Sequence, residues 1–133
     1  MEVVDSSLWV EFLRPGTPVA VRRLVEPYVR ARDVALCEPV VFEILRAAPA
    51  AQRAPIEHLF SLLPVLETPG RLWPDACRLG QKCAKAGFAV GSMDLLIAQV
   101  CIHHAARLVT LDRQFKQIAE VSTLSLLLLQ RPT

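Results

Sequence analysis

Short, nearly continuous apolar runs alternate along this chain with longer stretches whose apolar residues recur at helical spacing, a pattern of buried strands and amphipathic helices. Residues 2–5, Glu-Val-Val-Asp, predict a first strand, and Ser6-Ser7 predicts the turn into a short helix over 8–13. Ser6 or Ser7 is expected to cap that helix, with Asp5 as the alternative. After the break at Pro15-Gly16, Thr17 is expected to cap a helix from Pro18 that sets Val21, Leu24, Val25 and Tyr28 on one side. Pro27 challenges its continuity. Residues 34–37 predict a second strand, and Pro39 the first residue of a helix that carries Glu43 in its second turn. A helix over 51–62 precedes a third strand at 64–67, whose proline must stand at its start. Pro74 opens or kinks a helix that ends near Gly87, and Ser92 is expected to cap a mostly buried helix over 93–104. Residues 107–111 predict a fourth strand, 112–118 a short amphipathic segment, and 124–129 an edge or terminal strand. This alternation predicts an α/β sandwich around a largely parallel sheet.

The chain's 133 residues, 53% hydrophobic and 21% charged, suit one folded domain spanning 1–133 and exclude a disordered tract. A net charge of +2 is too small to argue for nucleic acid by itself, although charge is unevenly spread. Acids outnumber bases nine to seven up to Glu67, and bases outnumber acids eight to four beyond it. Solvated helix faces account for most of that excess on the simplest reading. Cys37, Cys77, Cys83 and Cys101 have neither CxxC spacing nor suitably placed histidines, and are expected to be small buried hydrophobes in a reducing compartment. With acids where a signal peptide needs basic and apolar residues, and no apolar run long enough for a bilayer, the protein is expected in the cytoplasm without membrane contact.

In an open parallel sheet, ligands bind beyond the carboxyl ends of the strands. Asp5 ends the first predicted strand, Asp112 follows the fourth, Asp94 opens the buried helix, and Glu43 lies on the helix after the second strand. All four can therefore converge at one sheet edge. Such a cluster repels itself unless cations occupy it, and hard oxygen donors favour Mg2+, with Mn2+ able to substitute. Each acid also has an ordinary structural role available. Asp94 suits a helix start, Asp5 suits a cap, Glu43 can pair with Arg46, and Asp112 can accept from the Gln114 or Phe115 amides. Together, four carboxylates and one or two cations suit phosphodiester hydrolysis, which needs charge neutralisation, water activation and a stabilised leaving oxyanion.

Four segments carry a resemblance: Val3-Val4-Asp5-Ser6-Ser7-Leu8-Trp9-Val10-Glu11-Phe12-Leu13, Pro39-Val40-Val41-Phe42-Glu43-Ile44-Leu45, Met93-Asp94-Leu95-Leu96-Ile97-Ala98, and Leu108-Val109-Thr110-Leu111-Asp112-Arg113-Gln114-Phe115. In order and spacing they resemble the motifs of the PIN-domain family, specifically the VapC-type toxins of VapBC toxin–antitoxin pairs, across essentially the whole chain. The resemblance implies a three-layer α/β/α sandwich and a Mg2+-dependent endoribonuclease. It matches Asp5, Glu43, Asp94 and Asp112 to the family's metal-binding acids, and Ser7 to its small hydroxyl position. Asp5 and Asp94 would be central ligands, Glu43 a ligand or water-orienting base, and Asp112 an outer ligand acting partly through water. Ser7 would bind a phosphate oxygen or fix Asp5. Ser92 stands where many relatives carry a further acid, which weakens the expected hold on a second metal. The resemblance also implies an RNA substrate, a homodimer, and a toxin–antitoxin hetero-oligomer in which a small antitoxin alone contacts DNA.

Leu8, Trp9, Phe12, Leu13 and the apolar residues of 21–28 are expected to leave surface over for the homodimer contact. A phosphoaspartyl domain is disfavoured because Ser7 replaces the second early acid, and a nucleotide-binding domain because no glycine-rich phosphate loop follows the first strand. A noncatalytic PIN-like binding or scaffold protein and a housekeeping RNA-processing nuclease remain as alternatives.

Overall fold

A computed structural model describes residues 1–133. The elements follow as β1 (Glu2–Val4), α1 (Ser6–Leu13), α2 (Val19–Val29), β2 (Val34–Cys37), α3 (Glu38–Ala47) and α4 (Ala50–Ser61). They continue as β3 (Val65–Leu66), α5 (Leu72–Lys85), α6 (Ser92–His104), β4 (Arg107–Thr110), α7 (Gln114–Glu120) and β5 (Ser125–Leu128). The strands form one sheet in the order β3-β2-β1-β4-β5, with every neighbouring pair parallel. Right-handed crossovers set α1 to α4 on one face and α5 to α7 on the other. Helix contacts agree: α1 packs with α2 and α3, whereas α5 packs with α6 and α7. The expected three-layer α/β/α sandwich is the observed one.

The central strands are apolar because both faces are covered. Val3, Val4, Leu36, Leu108 and Val109 are fully buried in a core of 29 residues that draws on both helical layers. Leu8 and Trp9 belong to this core too, so of the apolar residues expected to leave surface over these two leave none. Trp9 packs edge-on against Phe12 and against Phe60 of α4. Phe12, Leu13 and Tyr28 are only partly buried. Cys37, Cys83 and Cys101 are buried as expected, but Cys77 is exposed because it falls on the outer face of α5.

Helix starts differ from the expected caps. Asp5, rather than Ser6 or Ser7, is the N-cap of α1 and accepts from the Ser7 amide; both serines lie inside the helix. Thr17 does not cap α2, since its hydroxyl donates to the Glu11 carbonyl at 2.5 Å. Pro27 is accommodated within α2, near its end. Ser92 is the first residue of α6 rather than its cap, a position taken by Gly91. No helix is long and apolar enough to cross a membrane.

Two helix exits use left-handed backbone, at Gly87 after α5 (φ 84°) and at Ala105 after α6 (φ 51°). Only glycine adopts this region without steric penalty. Gly87→Ala is therefore expected to lower stability by about 1 kcal/mol, and Ala105→Gly to raise it by up to about 1 kcal/mol. Urea unfolding of the two variants beside the parent checks both signs.

Candidate active site

The chain leaves β1 for β2 on one side of the sheet, then returns to place β4 on the other, so the carboxyl ends of β1 and β4 flank the switch point. β1 stops there at Asp5, whose amide donates to the Val109 carbonyl at 2.9 Å and ties the end of β1 to β4. The Asp5 side chain is nearly inaccessible, and three donors meet at its Oδ2. These are the Ser7 hydroxyl at 2.8 Å, the Thr110 hydroxyl at 2.8 Å and the Ser7 amide at 3.4 Å. Burial pushes the carboxyl's pKa up, and the hydrogen bonds oppose that rise. Oδ1 takes none of them and remains available to a ligand.

Thr110, fully buried at the end of β4, donates to Asp5 and accepts from the Asp112 amide at 3.0 Å. Ser7 donates to the same carboxylate and accepts from the Leu111 amide at 3.1 Å. The two hydroxyls thus brace Asp5 against the segment that carries Asp112. Asp112 Oδ1 accepts from the Gln114 amide at 2.9 Å, so the expected helix-start role and a place at the site coexist. Glu43 projects from α3, which touches α6, and its Oε1 accepts from the Ser6 hydroxyl at 2.6 Å. The alternative pairing with Arg46 is not made. Thr110 and Ser6 were not among the sequence-based candidates; the signal available for Thr110 was a lone hydroxyl closing an apolar strand.

Asp94 occupies the first turn of α6 and is half-buried. Free amides at a helix start favour a charged carboxylate by roughly 0.3–1 kcal/mol. Opposing effects win here: burial first, then repulsion from Asp112, Asp5 and Glu43, push its pKa up to about 7. All four acids therefore act on one region of space, although no three of the side chains gather into a single ready-made coordination shell. The donors fit a hard divalent cation. Asp5 Oδ1, Glu43 Oε2 and Asp112 Oδ2 carry no hydrogen bond, and Asp94 lies amid negative charge with no basic group opposing it. Cys37, at the end of β2, does not offer an alternative nucleophile, because burial above all pushes its thiol up to about 12.

A raised carboxyl pKa means that the protonated form favours the native state. In EDTA, the stability linked to Asp94 is complete below about pH 4 and is lost as pH rises through about 7. Asp94→Asn is expected to flatten this dependence and melt above the parent at pH 8. Melting curves from pH 4 to 8 check the sign, and an unchanged profile would contradict it.

An all-parallel α/β/α sandwich with an acidic crevice at the β1/β4 switch point defines the structural class. The chain belongs to the PIN domain family, whose model matches residues 3–121. It is 35% identical over 130 residues to ribonuclease VapC11 of Mycobacterium tuberculosis, covering 93% of this chain and 96% of the relative. A VapC ribonuclease of Mycobacterium bovis matches to the same extent. Among solved structures, VapBC2 from Rickettsia felis, bound to a promoter DNA fragment, superposes with a TM-score of 0.75 at 19% identity, covering 97% of this chain and 98% of that one. The sarcin-ricin loop cleaving toxin VapC20 of Mycobacterium tuberculosis superposes with a TM-score of 0.68 at 16% identity, covering 99% and 100%.

Proposed function

We propose that this chain is a Mg2+-dependent endoribonuclease toxin of a type II toxin–antitoxin system, working in the cytoplasm with Mn2+ as an acceptable substitute. What supports the reading above all is that Asp112, Asp5 and Glu43, from separate elements, all act electrostatically on Asp94 at the carboxyl edge of the sheet. Similarity to named VapC ribonucleases over nearly the full chain supports the same activity. A divalent cation supplies charge neutralisation at the scissile phosphate and activation of water.

Asp5 and Asp94 would be the central ligands, since Ser7 and Thr110 hold Oδ2 of Asp5 and leave its Oδ1 free. Glu43, steadied by Ser6, serves as a ligand or orients the attacking water. Asp112 would be an outer ligand. The Ser7 hydroxyl is already engaged as donor and acceptor, which favours its role in fixing Asp5 over direct phosphate binding. Attack by water leaves 5'-phosphate and 3'-hydroxyl ends, since the RNA 2'-hydroxyl takes no part.

A small antitoxin with a basic side chain at the acids would silence the site, replacing the cation's charge and gaining charge-assisted hydrogen bonds. DNA contact falls to that partner. The toxin itself is read as a homodimer, and the exposed Phe42 and Trp73 supply aromatic surface for association.

Expression of the wild type beside Asp94→Ala tests the reading. Growth arrest by the wild type alone, with new 5'-phosphate RNA ends, is expected. In vitro cleavage should stop in EDTA and return with Mg2+. Full turnover in metal-free buffer would refute the mechanism.

A further inference from the structure

Beside the carboxyl edge, the sheet opens into a cleft of about 790 Å3 formed by the end of β4, the start of α7 and the chain after β5. This is within the usual range of ligand sites, roughly 300–1,000 Å3. Leu111 and Leu129 contribute aliphatic surface, while Arg113, Lys116 and Arg131 contribute positive charge; no acidic residue lines it. The cleft is built into the fold, because the Leu129 amide donates to the Thr110 carbonyl at 2.8 Å and anchors the chain after β5 to the strand that ends at the site. Arg131 is held from behind by Glu11 at 3.1 Å. Glu11 also binds Arg14 at 2.7 Å, so one buried carboxylate faces two guanidiniums and leaves positive charge over. Arg113 and Lys116 are exposed and have no carboxylate partner.

We infer that this cleft grips the phosphodiester backbone of single-stranded RNA next to the bond that is cut. The inference rests on the proposed nuclease reading and adds the substrate-holding residues Arg113, Lys116 and Arg131. Leu111 and Arg113 flank Asp112 in the chain, so the cleft begins where the acids end. A polyanion cannot be held by four carboxylates and their cations alone; its neighbouring phosphates need separate positive groups. Arginine offers them a planar fork of donors, and lysine a mobile point charge. The aliphatic floor suits the ribose and base faces between phosphates.

Binding of a short mixed-sequence single-stranded RNA oligonucleotide, measured in EDTA across a salt series, tests this without turnover. Arg113→Gln, Lys116→Gln and Arg131→Gln combined should weaken binding about tenfold or more at low salt. The slope of log affinity against log salt should flatten by about two units, at roughly 0.7 per lost phosphate contact. Arg78→Gln with Lys82→Gln, which removes charge from a different cleft on α5, should change neither. Melting temperatures verify that each variant is folded, and the three single substitutions serve if the combined one is not. An unchanged slope in the cleft variants, equal losses in the α5 control, or no RNA binding by the wild type would overturn the inference. Tighter binding of polyglutamate than of RNA, lost in the same variants, would overturn it too by assigning the cleft to an acidic protein segment. A wild type that binds RNA through the cleft but cuts none would leave the inference standing and remove the nuclease reading.

Discussion

Asp5→Asn and Asp94→Asn should each reduce RNA cleavage by about a thousandfold or more while leaving the protein folded. The estimate follows from the several kcal/mol that a cation contributes to charge stabilisation, at about 1.4 kcal/mol for each factor of ten. An amide at position 5 can still accept from Ser7 and Thr110 through its oxygen, so the brace survives. Its nitrogen then occupies the place of Oδ1 and presents hydrogens where a cation needs an electron pair. At position 94 the substitution removes a charge opposed by burial and three neighbouring carboxylates, so the folded state gains while catalysis is lost. Single-turnover cleavage of a fluorescent RNA, measured with circular dichroism and metal titration, separates the two effects. A folded variant that binds Mg2+ normally and cleaves at the wild-type rate would remove that residue from the site.

Thr110→Val has the second-largest expected effect, because it preserves shape while deleting the hydroxyl between Asp5 and Asp112. The buried Asp5 carboxylate loses one of its two hydroxyl donors, and the Asp112 amide loses its acceptor. Groups that orient metal ligands from behind typically change affinity or activity by 10–100-fold, and a loss of about that size is expected here. Isothermal titration with Mn2+ and the cleavage rate should fall together. Thr110→Ser should restore much of both, since it returns the donor. Loss of thermal stability with unchanged Mn2+ affinity would reduce Thr110 to a structural role.

Apolar periodicity was enough to locate the strands and helices of this sheet, because burial on both faces leaves strands such as 34–37 with no polar residue. Helix starts were less legible. Whether Asp5 or Ser6 caps α1 turns on backbone angles, and both residue types suit the position. Trp9 was ambiguous for a related reason: an aromatic on a short helix can serve a core or an interface, and only the third dimension says that its face is buried. Among the site residues, the acids stood out because charge is costly near a core. Thr110 did not, since a threonine ending a strand is ordinary until its partner 105 residues away is in place. Ser6 likewise becomes meaningful only when α3 brings Glu43 to it.

The central position of β1 governs when the acidic crevice can come into being. Asp5 directly follows β1, yet Thr110, at the end of the strand that completes its surroundings, β4, lies 105 residues further along the chain. Thr110 and Asp112 must leave the ribosome before Asp5 has its brace or its neighbouring acid. Until then β1 has no partner on that side, and the long-range closure makes this pairing a late folding event. A chain that has not yet paired β1 with β4 thus has no assembled acidic crevice. A chain cut anywhere before β4 holds no assembled acid cluster, and the moment at which the crevice forms is set by the order of strands in the sheet.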